Sequence, residues 1–127
     1  MKRGEVWLAG FDPAVGTEAT KTRPCVIVSA DESNRVVERL GRGVVTVIPL
    51  TTNTSHIYLF QVYVPATDGN GLSADSKAQA EQIRSLDYSR FVKRLGVLTG
   101  ELQYSVDEAL KTHLGIISGT DTKPFSV

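Results

Sequence analysis

The stretch RPCVIVS, residues 23–29, decides the predicted fold, because it has the composition of a central strand. Its β-branched, apolar residues occupy both faces, as in a strand that is covered on both sides. Pro24 lacks a backbone N–H, so it is tolerated only at the beginning of this strand. A polar segment, GTEATKT, leads into it and carries one acid, Glu18, close to Arg23. We therefore predict a buried strand preceded by a long loop that has room for function.

Further strands are predicted on both sides of this segment. Pro49 should end ladder pairing in its strand, because it removes a donor. Strand periodicity places Phe60, Val62 and Val64 on one face. The predicted strands cover 4–11, 44–50, 57–64, 76–83 and 92–98.

Two helices complete the prediction. Residues 31–41 form a short helix or an irregular crossing that Gly41 ends. Residues 100–117 carry apolar side chains at helical spacing, which predicts an amphipathic helix. Ser105 and Glu108 match a capping box, so 105 is an alternative start of this helix.

A short helical turn over 85–91, capped by Ser85 or Asp87, connects the last predicted strands. Because the connections are short, most neighbouring strands should be antiparallel. The chain is thus predicted to be mainly β with a C-terminal helix, an α+β protein. Its strands should form a small barrel or a curled antiparallel sheet with the helix packed against it.

Composition narrows the function classes. The 127 residues fit one domain, which we place at 1–118 with a flexible tail at 119–127. The 14 basic and 14 acidic residues cancel, which argues against a bulk polyanion binder. The single cysteine, Cys25, excludes an internal disulfide. With no membrane-length apolar run and no signal-like start, a soluble cytoplasmic protein without membrane contacts is expected.

Three polar features are candidates for chemistry. They are Glu18 with Arg23, the TTNT turn at 51–54, and the AEQIRS segment at 80–85. Each also has a structural explanation, since threonine caps turns and arginine binds loop carbonyls. Other chemistry is not indicated: the two histidines lack ligand spacing, Cys25 lies in an apolar strand, and phosphate-binding loops are missing from the sequence.

Four segments taken together resemble the MazF family of toxin endoribonucleases, within the MazF/PemK superfamily. The segments are KRGEVW (2–7), FDPAVGTEATKTRPCVIVS (11–29), TVIPLTTN (46–53) and KAQAEQIRSLD (77–87). They contain, in order, the Arg-Gly-Glu, Asp-Pro, Gly-Thr-Glu, Arg-Pro, Pro-x-Thr-Thr and Glu-Gln-x-Arg-Ser elements of that family. The C-terminal helix resembles the family's last helix as well.

The resemblance implies a specific function. Family members have an SH3-like barrel related to CcdB, form homodimers with an RNA groove at the interface, and cut single-stranded RNA without a metal or another cofactor. Each is the toxin of a type II toxin–antitoxin pair, and the antitoxin lays an acidic segment over the groove. When the family's catalytic roles are transferred to the matching positions of this sequence, the catalytic residues are Arg23, Thr51 and Glu18. The residues expected to bind substrate are Thr52, Asn53, Gln82 and Arg84.

One departure from the superfamily pattern affects this assignment. The PemK branch uses an arginine, an aspartate and a histidine at positions that here hold Gln79, Glu81 and Thr17. Two of those roles do not transfer, so the site built on Arg23 and Thr51 is preferred.

Two alternatives stay open at this point. A gyrase poison on the same fold, of the CcdB type, ends in Trp-Gly-Ile, whereas this chain ends in TKPFSV and its only tryptophan is Trp7. A non-catalytic barrel that binds RNA or protein is the other alternative, because a fold does not determine a function.

Overall fold

The computed structural model describes residues 1–11 and 21–117. Within these ranges the chain forms seven strands and two α-helices, and two short 3₁₀ turns, Ala80–Gln82 and Tyr88–Arg90, flank the sixth strand. In chain order the elements are β1 (Glu5–Gly10), β2 (Thr22–Ile27), α1 (Asp31–Leu40), β3 (Val44–Thr51), β4 (Gln61–Val64), β5 (Ser76–Gln79), β6 (Arg84–Asp87), β7 (Phe91–Val97) and α2 (Gly100–Leu114).

All strand pairs are antiparallel, in the order β4-β5-β3-β2-β1-β7, and β6 pairs with β3 beside this path. Within the described ranges the outer strands β4 and β7 do not pair, so the sheet curls without closing. The predicted mainly β fold with a C-terminal helix is confirmed in its curled-sheet form.

Strand β3 changes partner along its length. On one edge it pairs with β6 from Val44 to Val47 and then with β5 at Leu50 and Thr51. Pro49 falls in the gap between these two ladders, where a missing N–H costs no hydrogen bond. The expectation that Pro49 ends pairing is correct only on the β2 edge, where Cys25–Pro49 is the last pair. On the other edge β3 continues and pairs with β5 as far as Thr51.

Each face of the sheet carries its own buried cluster. The first, built around Val26, Ile48 and Ala78, also contains the apolar residues of α2: Val106, Ala109 and Leu110. The second lies on the opposite face, where α1 contributes one residue to it. Its members are Ala9, Phe11, Cys25, Ile27, Val37, Val45, Val47 and Leu86.

The α2 helix begins earlier than its capping-box alternative suggests. Thr99 is the N-cap, and its side chain accepts the backbone N–H of Leu102. The alternative start at Ser105 is therefore wrong. The helix ends at Gly115, whose φ of 70° suits the left-handed cap that glycine adopts without strain.

Two predicted strands are shorter than expected. Residues 57–60 stay outside the ladder because a tight turn bonds the backbone N–H of Gln61 to the carbonyl of Tyr58 at 2.9 Å. Strand β4 therefore begins at Gln61, and Phe60 does not belong to it.

The segment 76–83 is interrupted as well. A 3₁₀ turn follows β5, with the N–H of Ile83 donating to Ala80. Ser85 then belongs to β6, and Asp87 alone caps the next turn by accepting the N–H of Ser89 at 2.9 Å.

Among the described residues, no helix is both long and apolar enough to cross a membrane. The tail predicted at 119–127 lies outside the described residues, so the domain boundary at 118 stays a prediction.

Candidate active site

A polar groove opens where the second buried cluster reaches the end of the sheet. It encloses about 300 Å³. Its lining brings together side chains from four separate segments of the chain: Phe11, Arg23, Pro49, and Gln79, Gln82 and Arg84. Two guanidinium groups and two amides face a largely open space, which is a chemistry suited to phosphate oxygens.

Arg23 is fixed by the central strand. It lies in β2 opposite Ala9 of β1, and its side chain is exposed. The β2–β3 ladder ends at the pair Cys25–Pro49, which lies two residues after Arg23 on β2 and two residues before Thr51 on β3. Among the residues that the structure describes, no carboxylate forms an ion pair with Arg23.

Thr51 is the last residue of β3. Its hydroxyl oxygen accepts the backbone N–H of Asn53 at 3.3 Å, which leaves the hydroxyl proton available for another acceptor. On its other side Thr51 pairs with Lys77 of β5. Residues directly opposite each other in antiparallel strands share a face, so Thr51 and Lys77 lie on one face of the sheet. Thr51 is not among the residues that line the groove.

Thr52 and Asn53 lie beyond the groove wall, in the exposed turn after β3. The side-chain oxygen of Asn53 accepts the hydroxyl of Ser55 at 2.8 Å, which shapes this turn. The structure thus places both residues next to Thr51 in sequence but not in the lining that contains Arg23.

Gln82 and Arg84 lie on the opposite wall. Gln82 ends the 3₁₀ turn, and Arg84 begins β6 opposite Val47. The guanidinium carbon of Arg84 lies 5.5 Å from the centre of the Phe11 ring, a cation–π arrangement that orients the side chain without neutralising its charge. Phe11 is one of the lining residues that the sequence analysis missed.

Gln79 is another. Strand alternation was the available signal, because it places Lys77 and Gln79 on one side of β5 and Ala78 on the other. Glu18, the third catalytic candidate, lies outside the described residues, and so does Thr17.

Beside the groove, Gln61 and Glu81 form a buried polar pair. The amide of Gln61 donates to Oε2 of Glu81 at 2.6 Å, while Oε1 of Glu81 is buried without a hydrogen-bond partner. The pair ties the turn at 80–82 to the start of β4. Since Gln82 extends from this turn, the pair helps to hold the groove wall.

The described part of the chain supports neither a cysteine nucleophile nor a metal site. Burial raises the pKa of the Cys25 thiol to about 12, so the reactive thiolate is suppressed, as expected for an inert cysteine. Among residues 1–11 and 21–117, no group of three or more His, Cys, Asp or Glu side chains could hold a metal ion.

Comparison with known proteins identifies the family of this chain. Residues 2–114 match the model of a family described as the PemK-like, MazF-like toxin of type II toxin–antitoxin systems. The chain belongs to this family.

Curated relatives match over nearly their full length. The chain is 48% identical over 118 residues to endoribonuclease MazF9 of Mycobacterium tuberculosis, which covers 93% of this chain and 99% of that protein. It is 30% identical to endoribonuclease EndoA of Bacillus subtilis, with 92% and 97% covered.

Solved MazF structures share the fold. MazF (Form-I) from Deinococcus radiodurans matches with a TM-score of 0.71 and 26% identity, over 91% of this chain and 97% of that chain. A MazE–MazF complex (Form-II) from the same organism matches with a TM-score of 0.73 and 27% identity, over 92% and 97%.

Proposed function

We propose that this chain is the toxin of a type II toxin–antitoxin pair and an endoribonuclease that cuts single-stranded RNA without a metal ion or another cofactor. One observation carries the proposal: Arg23 and Arg84 line the same groove, and neither forms an ion pair with a carboxylate among the described residues. Family membership and two relatives named endoribonucleases support the activity.

RNA brings its own nucleophile, which explains why the site needs neither a reactive serine nor a cysteine. The 2′-hydroxyl attacks the adjacent phosphorus, and the bond to the 5′-oxygen of the next nucleotide breaks. The products are a 2′,3′-cyclic phosphate, or its 3′-phosphate hydrolysis product, and a 5′-hydroxyl. The protein has to accept one proton, stabilise the phosphorane charge and hold the strand in line.

Arg23 and Thr51 stabilise the phosphorane. A guanidinium offers paired planar donors that match two phosphate oxygens, and its pKa above 12 makes it a clamp rather than an acid. The Thr51 hydroxyl donates to the same phosphate, because its oxygen is already engaged by the N–H of Asn53. Glu18 is assigned, from the sequence, as the base that removes the 2′-hydroxyl proton.

The remaining predicted site residues bind the strand. Gln82 and Arg84 line the groove and contact RNA there. Thr52 and Asn53 extend the contact along the exposed turn. Bases of single-stranded RNA are unstacked, so their edges are accessible to such side chains.

The positive charge that binds RNA also explains how an antitoxin would bind. An acidic antitoxin segment presents carboxylates to the guanidinium of Arg23 and so competes with RNA. Complexes of MazF with MazE among the solved structures support this partner. We further propose that the toxin works as a homodimer in the cytoplasm.

The alternatives left open by the sequence are less well supported. A gyrase poison or a non-catalytic barrel does not need a groove whose two arginines form no ion pair with a described carboxylate. The curated relatives at 48% and 30% identity are named endoribonucleases.

The test is cleavage of a long single-stranded RNA in EDTA by the folded protein, purified free of antitoxin, with both ends of the fragments mapped. Wild type should give discrete cuts with 5′-hydroxyl ends. Arg23→Ala should lower the rate about 100-fold to about 1000-fold, as for loss of a donor to a developing oxyanion.

Arg94→Ala is the matched control. Arg94 is an exposed arginine whose guanidinium is paired with Glu5, away from the groove. The Arg94→Ala protein should cleave RNA at the wild-type rate. No cleavage by folded wild type, or equal rates for Arg23→Ala and wild type, would disprove the proposed activity or its site.

A further inference from the structure

The loop that joins β4 to β5 contains the only Asn-Gly pair of the chain, Asn70–Gly71. In a flexible chain this dipeptide is especially prone to deamidation, because glycine leaves its backbone nitrogen unhindered to attack the neighbouring carboxamide. The chain has two further asparagines, Asn34 and Asn53, and each is followed by a residue with a side chain. Asn70 is therefore the asparagine whose chemical lifetime depends most on how the fold holds it.

The carboxamide of Asn70 is buried and hydrogen-bonded through both its oxygen and its nitrogen. The residue is 2% exposed. Its Oδ1 accepts the backbone N–H groups of Thr67 at 3.1 Å and of Leu72 at 3.0 Å. Its Nδ2 donates to the carbonyl of Pro65 at 2.8 Å. These three hydrogen bonds hold Cγ, the carbon that deamidation attacks, in one orientation.

The nitrogen that would attack is held as well. The N–H of Gly71 donates to the carbonyl of Thr67 at 3.0 Å, and the N–H of Asn70 donates to Oγ1 of Thr67 at 3.2 Å. To react, the Gly71 nitrogen has to turn toward Cγ and lose its proton. In the closed loop both reacting groups are bonded to other partners, so the fold protects the pair.

Backbone packing against β7 requires this labile sequence. Gly71 has a φ of 70°, and a Cβ there would overlap the carbonyl oxygen of Leu95. On the other side of the contact, a Cβ on Gly96 would overlap the carbonyl of Gly69, which also accepts the N–H of Val97 at 2.9 Å. No side chain fits at position 71, and the carboxamide at position 70 supplies an acceptor for two N–H groups together with a donor.

We propose that Asn70 is a modification site, which the closed loop protects and which opening of the loop exposes to deamidation. In the open loop the nitrogen of Gly71 attacks Cγ of Asn70. The N–Cγ bond forms, the Cγ–Nδ2 bond breaks, and the Nδ2 group leaves as ammonia with the proton of the Gly71 N–H. Water then opens the cyclic imide at either carbonyl, which leaves aspartate or isoaspartate at position 70. Water is the only co-reactant.

The modified loop does not close again. A carboxylate at position 70 lacks the Nδ2 donor and brings a buried charge against the carbonyl of Pro65. Isoaspartate also lengthens the backbone by a methylene group, which displaces the contact between Gly71 and Leu95. Loss of the loop withdraws Leu72 from the first buried cluster and removes a backbone hydrogen bond to β7. Opening at this loop therefore becomes irreversible through a covalent change.

Deamidation rates at the three asparagines test the proposal. Wild type is incubated at neutral pH with and without enough urea to unfold it, and peptide mapping by mass spectrometry follows Asn34, Asn53 and Asn70. In urea, Asn70 should react faster than the other two. In the folded protein Asn70 should react about 10-fold to about 1000-fold more slowly than in urea, because three hydrogen bonds must open together.

Thr67→Ala separates protection by the fold from intrinsic reactivity. It removes the exposed hydroxyl that accepts the N–H of Asn70. The rate at Asn70 in the folded protein should therefore rise about 2-fold to about 10-fold, as for the loss of one hydrogen bond. In urea the variant and wild type should react equally. The control is Ser55→Ala, which removes an exposed hydroxyl bonded to Asn53 and should leave the rate at Asn70 unchanged.

Equal rates at Asn70 in folded and unfolded protein would overturn the proposal, and so would a rate in urea no higher than at Asn34 or Asn53. Refolding supplies a further test. When urea is removed after partial reaction, the folded fraction should be depleted in chains modified at position 70, and an equal share of them in folded and aggregated protein would contradict the irreversible step. None of these measurements uses RNA, so their failure is distinct from failure of the proposed activity.

Discussion

Four arginines of this chain occupy two contrasting environments. At the junction of β2 and α2, Arg3 donates two hydrogen bonds to Asp107 and a third to the carbonyl of Val28. Arg94 on β7 is bonded to Glu5. In the groove, Arg23 and Arg84 meet amides and a phenyl ring, and no described carboxylate forms an ion pair with either.

This difference distinguishes arginines that stabilise the fold from arginines that are available to bind a ligand. The charge of a paired guanidinium is already neutralised by a neighbouring carboxylate. Removing such an arginine therefore lowers the free energy of unfolding. A guanidinium without a carboxylate keeps its full charge for an incoming oxyanion, and its loss affects binding and catalysis. Four substitutions probe this distinction, from the largest expected effect to the smallest.

Arg23→Lys should have the largest effect. Lysine keeps the positive charge but loses the planar pair of donors that fits two phosphate oxygens. We expect single-turnover RNA cleavage to fall about 100-fold, with an unchanged melting temperature. A lysine variant as active as wild type would mean that Arg23 acts by charge alone.

Arg84→Ala should lower kcat/KM about 10-fold, mostly through KM, because one phosphate contact is lost. Binding of single-stranded RNA should also depend less steeply on salt, which a titration across ionic strength measures. A purely structural arginine would instead lower the unfolding free energy and leave the salt slope unchanged.

Arg3→Ala should show the opposite behaviour. It breaks a partly exposed ion pair, so we expect a loss of about 1 kcal/mol in unfolding free energy, measured by urea titration. Cleavage per folded molecule should equal that of wild type. A large loss of activity at full folding would contradict the division into paired and unpaired arginines.

The smallest effect concerns the partner of Arg94. Burial raises the pKa of Glu5, but hydrogen bonds from Trp7, from the backbone of Lys2 and from Arg94 outweigh it and lower the pKa overall. A carboxyl with a lowered folded-state pKa stabilises the fold above its unfolded pKa of about 4.3.

That contribution is lost as the pH falls through the lower folded-state value. Glu5→Gln should therefore be less stable than wild type at neutral pH, and the two should converge in acid. Thermal melts between neutral pH and about pH 3 measure this, and a constant gap between the proteins would exclude the ionised carboxylate as the cause.

Much of the molecule was predictable from local patterns. Residues 23–29 and 44–50 were identified as buried strands because β-branched residues fill both of their faces. Arg23 and Thr51 were named as site residues through motif order. Arg23 lines the groove, whereas Thr51 lies at the end of β3 outside its lining. Gln82 and Arg84 were placed near the site by the same motifs.

The rest depends on contacts that are distant in sequence. The alternation in 57–64 does not reveal that the side chain of Gln61 binds the backbone of Tyr58 and so keeps 57–60 out of the sheet. Nor does the sequence show that Phe11 meets Arg84, because 73 positions of chain separate them and only the curl of the sheet joins them. The continuation of β3 past Pro49 was not predicted, because a strand can change partner where a backbone donor is missing.

The buried thiol of Cys25 has a consequence for how such a toxin is controlled. It is the only cysteine in the chain, and its pKa of about 12 keeps it in the thiol form that oxidants attack slowly. Thiol oxidation therefore offers no direct route for switching this protein, and we expect its activity on RNA to be the same with and without a reducing agent.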